Sequence, residues 1–139
     1  ILMNGVRQDA GAYRNHGVRI TGVNLPTANH MSVPKLILEV MARITKKTKD
    51  VIASSAGVHS KFEQIHPFGD GNGRVGRLLM NAMLLSANFA PAIIRQEQKR
   101  LYYTYLYKAQ TKDDQSQLED FLCEAVVDGF KILDRTDVR

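Results

Sequence analysis

From residue 32 onward the chain repeats apolar positions at intervals of three and four. In SVPKLILEVMARITKKT, Val33, Leu36, Ile37, Val40, Met41 and Ile44 fall on one stripe, with Lys35, Glu39 and Arg43 elsewhere, the pattern of an amphipathic helix. Ser32 is placed to cap it, and Pro34 sits in its first turn, where a missing N–H is tolerated. A second helix starts near Asp50 and turns Ile52, Ser55, Val58 or His59, Phe62 and Ile65 inward. Pro67 disfavours helical geometry at His66, so this helix should stop there. RVGRLLMNAMLLSAN is apolar on nearly every side, which predicts a helix surrounded by the others at the centre of a bundle. QEQKRLYYTYLYKAQ and SQLEDFLCEAVVDGFKILDR predict two more helices, the last with Leu118, Phe121, Leu122, Ala125, Val126 and Leu133 facing in. The expected fold is all-α. Only the first thirty residues differ: GVRITGVNLP shows a short β-type alternation at Val18 and Ile20, then the turn residues Gly22 and Pro26. It reads as a lone hairpin over about residues 17–30 or as a connecting loop; a lone hairpin is marginal and needs cover or a partner strand.

Length and composition narrow this picture. A chain of 139 residues, 44% hydrophobic, fits one domain over 1–139 with one core; it begins with Ile1 rather than Met, as a chain trimmed at its N-terminus would. Nothing resembles a membrane span or a signal peptide, so a soluble chain without a membrane partner is expected. Cys123, the single cysteine, lies in an apolar helical pattern and reads as a buried, inert thiol suited to a reducing cytoplasm. The formal charge of +5 suits nucleic acid, a basic helix face or a polyphosphate pocket. Lys46, Lys47 and Lys49 end a helix, where cations face the negative end of its dipole. No aromatic residues interleave with them, so no nucleic-acid partner is expected.

One stretch is not explained by packing. HPFGDGNGRVGR, residues 66–77, holds four glycines, each of which costs a helix interior about 1 kcal/mol against alanine. Gly71, Gly73 and Gly76 spell the dinucleotide fingerprint, but a helix rather than a strand precedes them. The lysine-containing phosphate loop and the kinase partner motifs are absent. The shared physics survives: glycines feeding a helix start let backbone N–H groups approach an anion at the positive dipole end. Arg74 and Arg77, three apart on the first turns, can fork onto phosphate oxygens; as cations at a helix N-terminus they oppose the dipole unless an anion is bound. Asp70 beside the cradle suits Mg²⁺, which takes only one or two protein carboxylates, or serves as a turn residue. His66 at the mouth can accept a proton near neutral pH, whereas His59 reads as a hydrogen-bonded core histidine. A base, a metal carboxylate, an amide cradle and arginines together point to phosphoryl or nucleotidyl transfer without a covalent nucleophile.

The stretch resembles the Fic motif, HPFx[D/E]GNGRxxR, at every fixed position. GAYRNHGVRITG resembles the family's entry and target-binding flap, and LLMNAMLLSANFAPAIIRQEQKRLYYTYLYKA the helices after the motif; the resemblance covers roughly residues 10 to 125. It implies a Fic-type helical bundle with a small β-hairpin flap near the N-terminus, and a protein adenylyltransferase that moves AMP from ATP to a Ser, Thr or Tyr hydroxyl of a target protein, releasing pyrophosphate. By the same resemblance His66 is the base, Asp70 holds Mg²⁺, and Gly71, Asn72 and Gly73 form the anion hole. Arg74 and Arg77 neutralise the β- and γ-phosphates, Phe68 anchors the loop from below, and Tyr103 lines the base pocket; a position often Asn in relatives is Gln110 here. Val18, Arg19, Ile20, Thr21, Gly22 and Val23 are implied to pair with the target as an added strand. Gly73, where a phosphorylating Doc-like branch has Lys, argues for AMP transfer. No Ser or Thr is followed at the fourth position by Glu, so the inhibitory motif [ST]-x-x-x-E-[GN] is not matched; an inhibitory helix outside this chain, an antitoxin-like partner or another mode of regulation is implied instead. AMP removal, another nucleotidyl or phosphoryl transfer on the same fold, and a nucleotide-dependent binding module are the alternatives.

Overall fold

A computed structural model of the chain describes residues 4–22 and 24–136. Five α-helices account for most of it: α1 (Val33–Thr45), α2 (Val51–Ile65), α3 (Asn72–Ser86), α4 (Lys99–Lys112) and α5 (Ser116–Thr136), with short 3-10 turns at His30–Ser32 and Gln96–Gln98. Among the described residues there is no strand, and no helix is long and apolar enough to cross a membrane.

Pro34 falls in the first turn of α1, as its fixed φ favours. Ser32 precedes that helix without a side-chain capping bond, because its backbone already turns as the end of the 3-10 segment. Val33, Ile37 and Val40 are buried, and Met41, expected on the same stripe, is half-exposed at its margin. Asp50 caps α2, its carboxylate accepting from the Ala53 amide. α2 ends where Pro67 requires, and His66 takes left-handed geometry at φ 52°.

The centre of the bundle is α2, which touches α1, α3, α4 and α5. The sequence pattern points instead to the helix after the glycines. That helix, α3, leaves Leu78 and Leu85 exposed and buries Asn72, Gly76, Met80, Met83 and Leu84. Its apolar residues exceed what it buries, whereas α2 carries the buried polar residues Ser55, His59, Ser60 and Glu63, which disguise a central helix as an amphipathic one. Apolar clusters lie on both sides of α2. One joins Val58, Phe62 and Ile65 to Val33, Ile37 and Val40 of α1 and Met83 of α3; the other gathers Met80 and Leu84 with Tyr102, Leu106, Leu118, Phe121 and Leu122.

Three further expectations are corrected. The hairpin over about 17–30 is not formed: the described residues of that segment contain no strand, only a turn at Thr21 and Gly22, where Gly22 adopts φ +80°. Thr27 Oγ1 donates to the Val18 carbonyl at 2.9 Å across the segment, in place of a strand ladder among the described residues, consistent with the weakness of two unsupported strands; Val23 lies outside the described residues. Cys123 is exposed rather than buried, one position past the inward pair Phe121 and Leu122. Leu133, near the C-terminal end of α5, is 46% exposed rather than inward.

Candidate active site

The α2 end, the glycine loop and the start of α3 form one wall of a cleft of about 620 Å³. It is lined by His66, Asp70, Gly71, Asn72, Gly73, Arg74 and Arg77, by Arg19, Ile20, Thr21 and Gly22 of the N-terminal segment, and by Glu63, Tyr102 and Tyr103. The motif residues and the segment resembling a flap therefore share one space, although they are separated by more than forty positions in the chain. A second groove of about 450 Å³, between α1, α2 and α4, is lined by Glu39, Arg43, Lys61, Gln64 and Gln110 and contains none of the motif. Gln110 donates to the Ser60 carbonyl at 3.0 Å and so points away from the cleft.

His66 is half-buried at the C-cap of α2, with Nδ1 3.1 Å from the Glu63 carbonyl. A carbonyl only accepts, so Nδ1 carries the hydrogen and Nε2 keeps its lone pair. Burial, more than any charge, lowers the imidazole's basicity below its ordinary value. The ring is thus held neutral and pre-set as a proton acceptor.

The loop after it is fastened from inside. Asn72 is 3% exposed, and its side-chain amide closes a ring with the Phe68 backbone: Oδ1 accepts from Phe68 N at 2.9 Å and Nδ2 donates to Phe68 O at 2.8 Å. Its side chain is engaged in the loop, so only its backbone amide is available to a cradle. The Phe68 ring packs between Tyr13 and Phe62, with centroids at 5.9 and 6.4 Å. Gly71 precedes α3 at φ 82°, a conformation a side chain would strain. α3 begins without a side-chain cap, and Gly71, Asn72 and Gly73 at its start line the cleft.

Asp70 is exposed at the mouth. One carboxylate oxygen accepts from the Gly71 amide at 2.6 Å, and the other lies 3.8 Å from Arg74 Nη2. Among the described residues no three His, Cys, Asp or Glu side chains cluster for a metal. A single carboxylate beside an anion cradle still fits Mg²⁺, which completes its octahedron with waters and substrate phosphates.

Two residues unmarked by the motif shape the site. Arg14 is 4% exposed and donates to four backbone carbonyls: Nε to His66 at 2.7 Å, Nη1 to His16 at 2.7 Å, and Nη2 to Ile65 at 3.1 Å and to Ala28. It satisfies the carbonyls at the end of α2 and ties both ends of the flap segment to the peptide of His66. Glu63 is buried one turn before His66, and burial raises its carboxyl to about 7 against the opposing pull of Arg77. Neither was distinguishable in the sequence, where one is an arginine in a polar loop and the other a glutamate in a helix.

Behind the cleft, His59 Nε2 meets the Tyr102 hydroxyl. His59 is fully buried and pushed down to about 4 by desolvation, so it is neutral; Arg77 acts on the same tyrosine hydroxyl from α3. Tyr103, next in the chain, is 49% exposed on the cleft wall, its ring 5.0 Å from that of Tyr102.

Comparison with known proteins identifies the family and the fold. The family model described as Fic/DOC family matches residues 1–84. A protein adenylyltransferase Fic of Nematostella vectensis is 54% identical over 55 residues, 40% of this chain and 13% of that protein. A probable protein adenylyltransferase of Aquifex aeolicus (strain VF5) is 39% identical over 88 residues, 63% of this chain and 28% of that one. The chain thus spans little more than a quarter, at most, of these relatives. The crystal structure of a Fic family protein from Desulfovibrio desulfuricans G20 superposes with a TM-score of 0.82 at 28% identity, covering 99% of this chain and 45% of that one. On the extent of the family match and the likeness of the fold, the chain belongs to the Fic/DOC family.

Proposed function

We propose that the chain is a protein adenylyltransferase domain that transfers AMP from ATP to a Ser, Thr or Tyr hydroxyl of a target protein. The observation that carries this reading is His66: its Nδ1 is committed to the Glu63 carbonyl, which leaves Nε2 as the basic nitrogen of a side chain that lines the same cleft as the glycine cradle. The names of the curated relatives support it.

In this reading the target hydroxyl gives its proton to His66 Nε2 while its oxygen forms a bond to the α-phosphorus. The bond from that phosphorus to the bridging oxygen breaks, and pyrophosphate leaves. The backbone amides of Gly71, Asn72 and Gly73 stabilise charge on the phosphate oxygens. Arg74 and Arg77 balance the leaving group, and the anion relieves two cations placed at a positive helix end. Mg²⁺, when bound, neutralises phosphate charge, and Asp70 is the residue to hold it. Tyr103, which lines the cleft, would contact the adenine. Residues 19–22, with no strand pairing among the described residues, line the same cleft as His66 and would offer an extended target a backbone edge there.

The test is transfer of label from ATP carrying it on the α-phosphate to a protein acceptor. Replacement of His66 by Ala should reduce transfer by about 100-fold or more and leave ATP binding within a few-fold. Label arriving only from the γ-phosphate would replace AMP transfer by phosphorylation.

A further inference from the structure

We infer that Glu63 is a positioning residue of the cleft: its buried carboxylate faces Arg77 beneath the glycine cradle, attracts it through charge without a direct bond, and takes up a proton from solvent when phosphates draw that arginine away. The inference rests on the nucleotide reading of the cleft.

Glu63 is 7% exposed, lines the cleft, and its Oε1 has no hydrogen-bond partner among the described residues. A buried carboxylate oxygen left unpaired costs free energy and calls for an explanation. The glycines of α3 locate it. A Cβ on Gly76 would lie 2.3 Å from this oxygen. A Cβ on Gly73 would lie 3.9 Å from it and 3.2 Å from Arg77 Nη1. The carboxylate and the guanidinium therefore flank the same small space under the first turn of α3, which the absence of side chains on Gly73 and Gly76 keeps open. The ionisable groups facing Glu63 are Arg77 from α3, Tyr102 from α4 and, one turn earlier on its own helix, His59. Arg77 is the cation acting on it.

Burial sets Glu63 close to half-ionised at neutral pH. A polyphosphate entering the cradle competes for Arg77 and adds negative charge, and both effects favour the protonated carboxyl. Proton uptake then accompanies binding, and affinity falls as pH rises through 7.

Isothermal titration calorimetry of Mg-ATP binding, at pH 7 in buffers of different ionisation enthalpy, counts the protons. Wild type should take up about 0.3–0.5 proton more per ATP than Glu63→Gln, which keeps the size and polarity of the side chain but cannot ionise. The variant should bind within about two-fold of wild type at pH 6 and about 3- to 10-fold tighter at pH 8. Equal uptake by the two proteins overturns the role of Glu63 while leaving nucleotide binding intact. Failure of wild type to bind Mg-ATP overturns the nucleotide reading, and this inference with it. A measurement on wild type alone needs no variant to fold: in carbon-13 NMR of labelled glutamate, a carboxyl titrating near 7 should move upward with Mg-ATP, and a midpoint that stays in place refutes the coupling.

Discussion

Helix α2 buries two faces of opposite character. One carries Val58, Phe62 and Ile65 against α1 and α3. The other carries Ser55, His59 and Glu63, four residues apart along one stripe, each buried and each with a polar atom lacking a hydrogen bond among the described residues. The first face contributes stability through area removed from water. The second costs stability, and it approaches the cleft: its last member lies one turn from His66 and beside Arg77. A helix so placed supports the fold with one face and sets the charge state of the site with the other.

The comparison breaks most readily on the apolar side. Phe62→Ala should cost about 3–5 kcal/mol through lost burial and the cavity left behind, read as a lower urea midpoint.

On the polar side the expected effect depends on pH, with opposite signs for two residues. Glu63 has its folded pKa raised to about 7 from 4.5; the folded state binds the extra proton between these values, so stability falls as pH rises through that window. His59 has its folded pKa lowered to about 4 from 6.5; the unfolded state binds the extra proton, so stability falls as pH drops through that window. Glu63→Gln should therefore gain on wild type by about 2–3 kcal/mol between pH 5 and pH 8, in thermal melts across that range. A gain independent of pH would show that the carboxylate does not titrate in the fold.

The smallest expected effect lies where the polar face meets α3. Gly76→Ala places a methyl against Glu63 Oε1, Phe62 and His59 and should cost about 1–3 kcal/mol through overpacking. Because the nearest contact is the end of a flexible side chain, the cost should shrink when Glu63 is also replaced by Ala; a double-mutant cycle that shows simple additivity would place the strain on Phe62 and His59 instead.

How much of this could be read along the chain depends on distance in sequence. The stop at His66 and the loop 66–77 were legible because Pro67 and the glycines act within a few residues of themselves. The assembly around the loop was not. Arg14 looks like any loop arginine until its guanidinium is found on the carbonyls of Ile65 and His66, about fifty positions away. The exposed Cys123 and Leu133 show the converse, since a helical stripe predicts a buried face only where another element exists to cover it. The strand alternation at Val18 and Ile20 likewise met no second strand to pair with.

Neighbouring positions alone sufficed to mark the glycine loop over residues 66–77, the end of α2 and a helical fold, because φ restriction, missing N–H groups and helical periodicity act over a few residues. The central place of α2 rather than α3, the clamp of Arg14 on His66 and the unpaired Glu63 oxygen near Arg77 emerge only in the folded chain. Burial and charge coupling are properties of the space around a side chain, and that space is enclosed by residues remote in the chain.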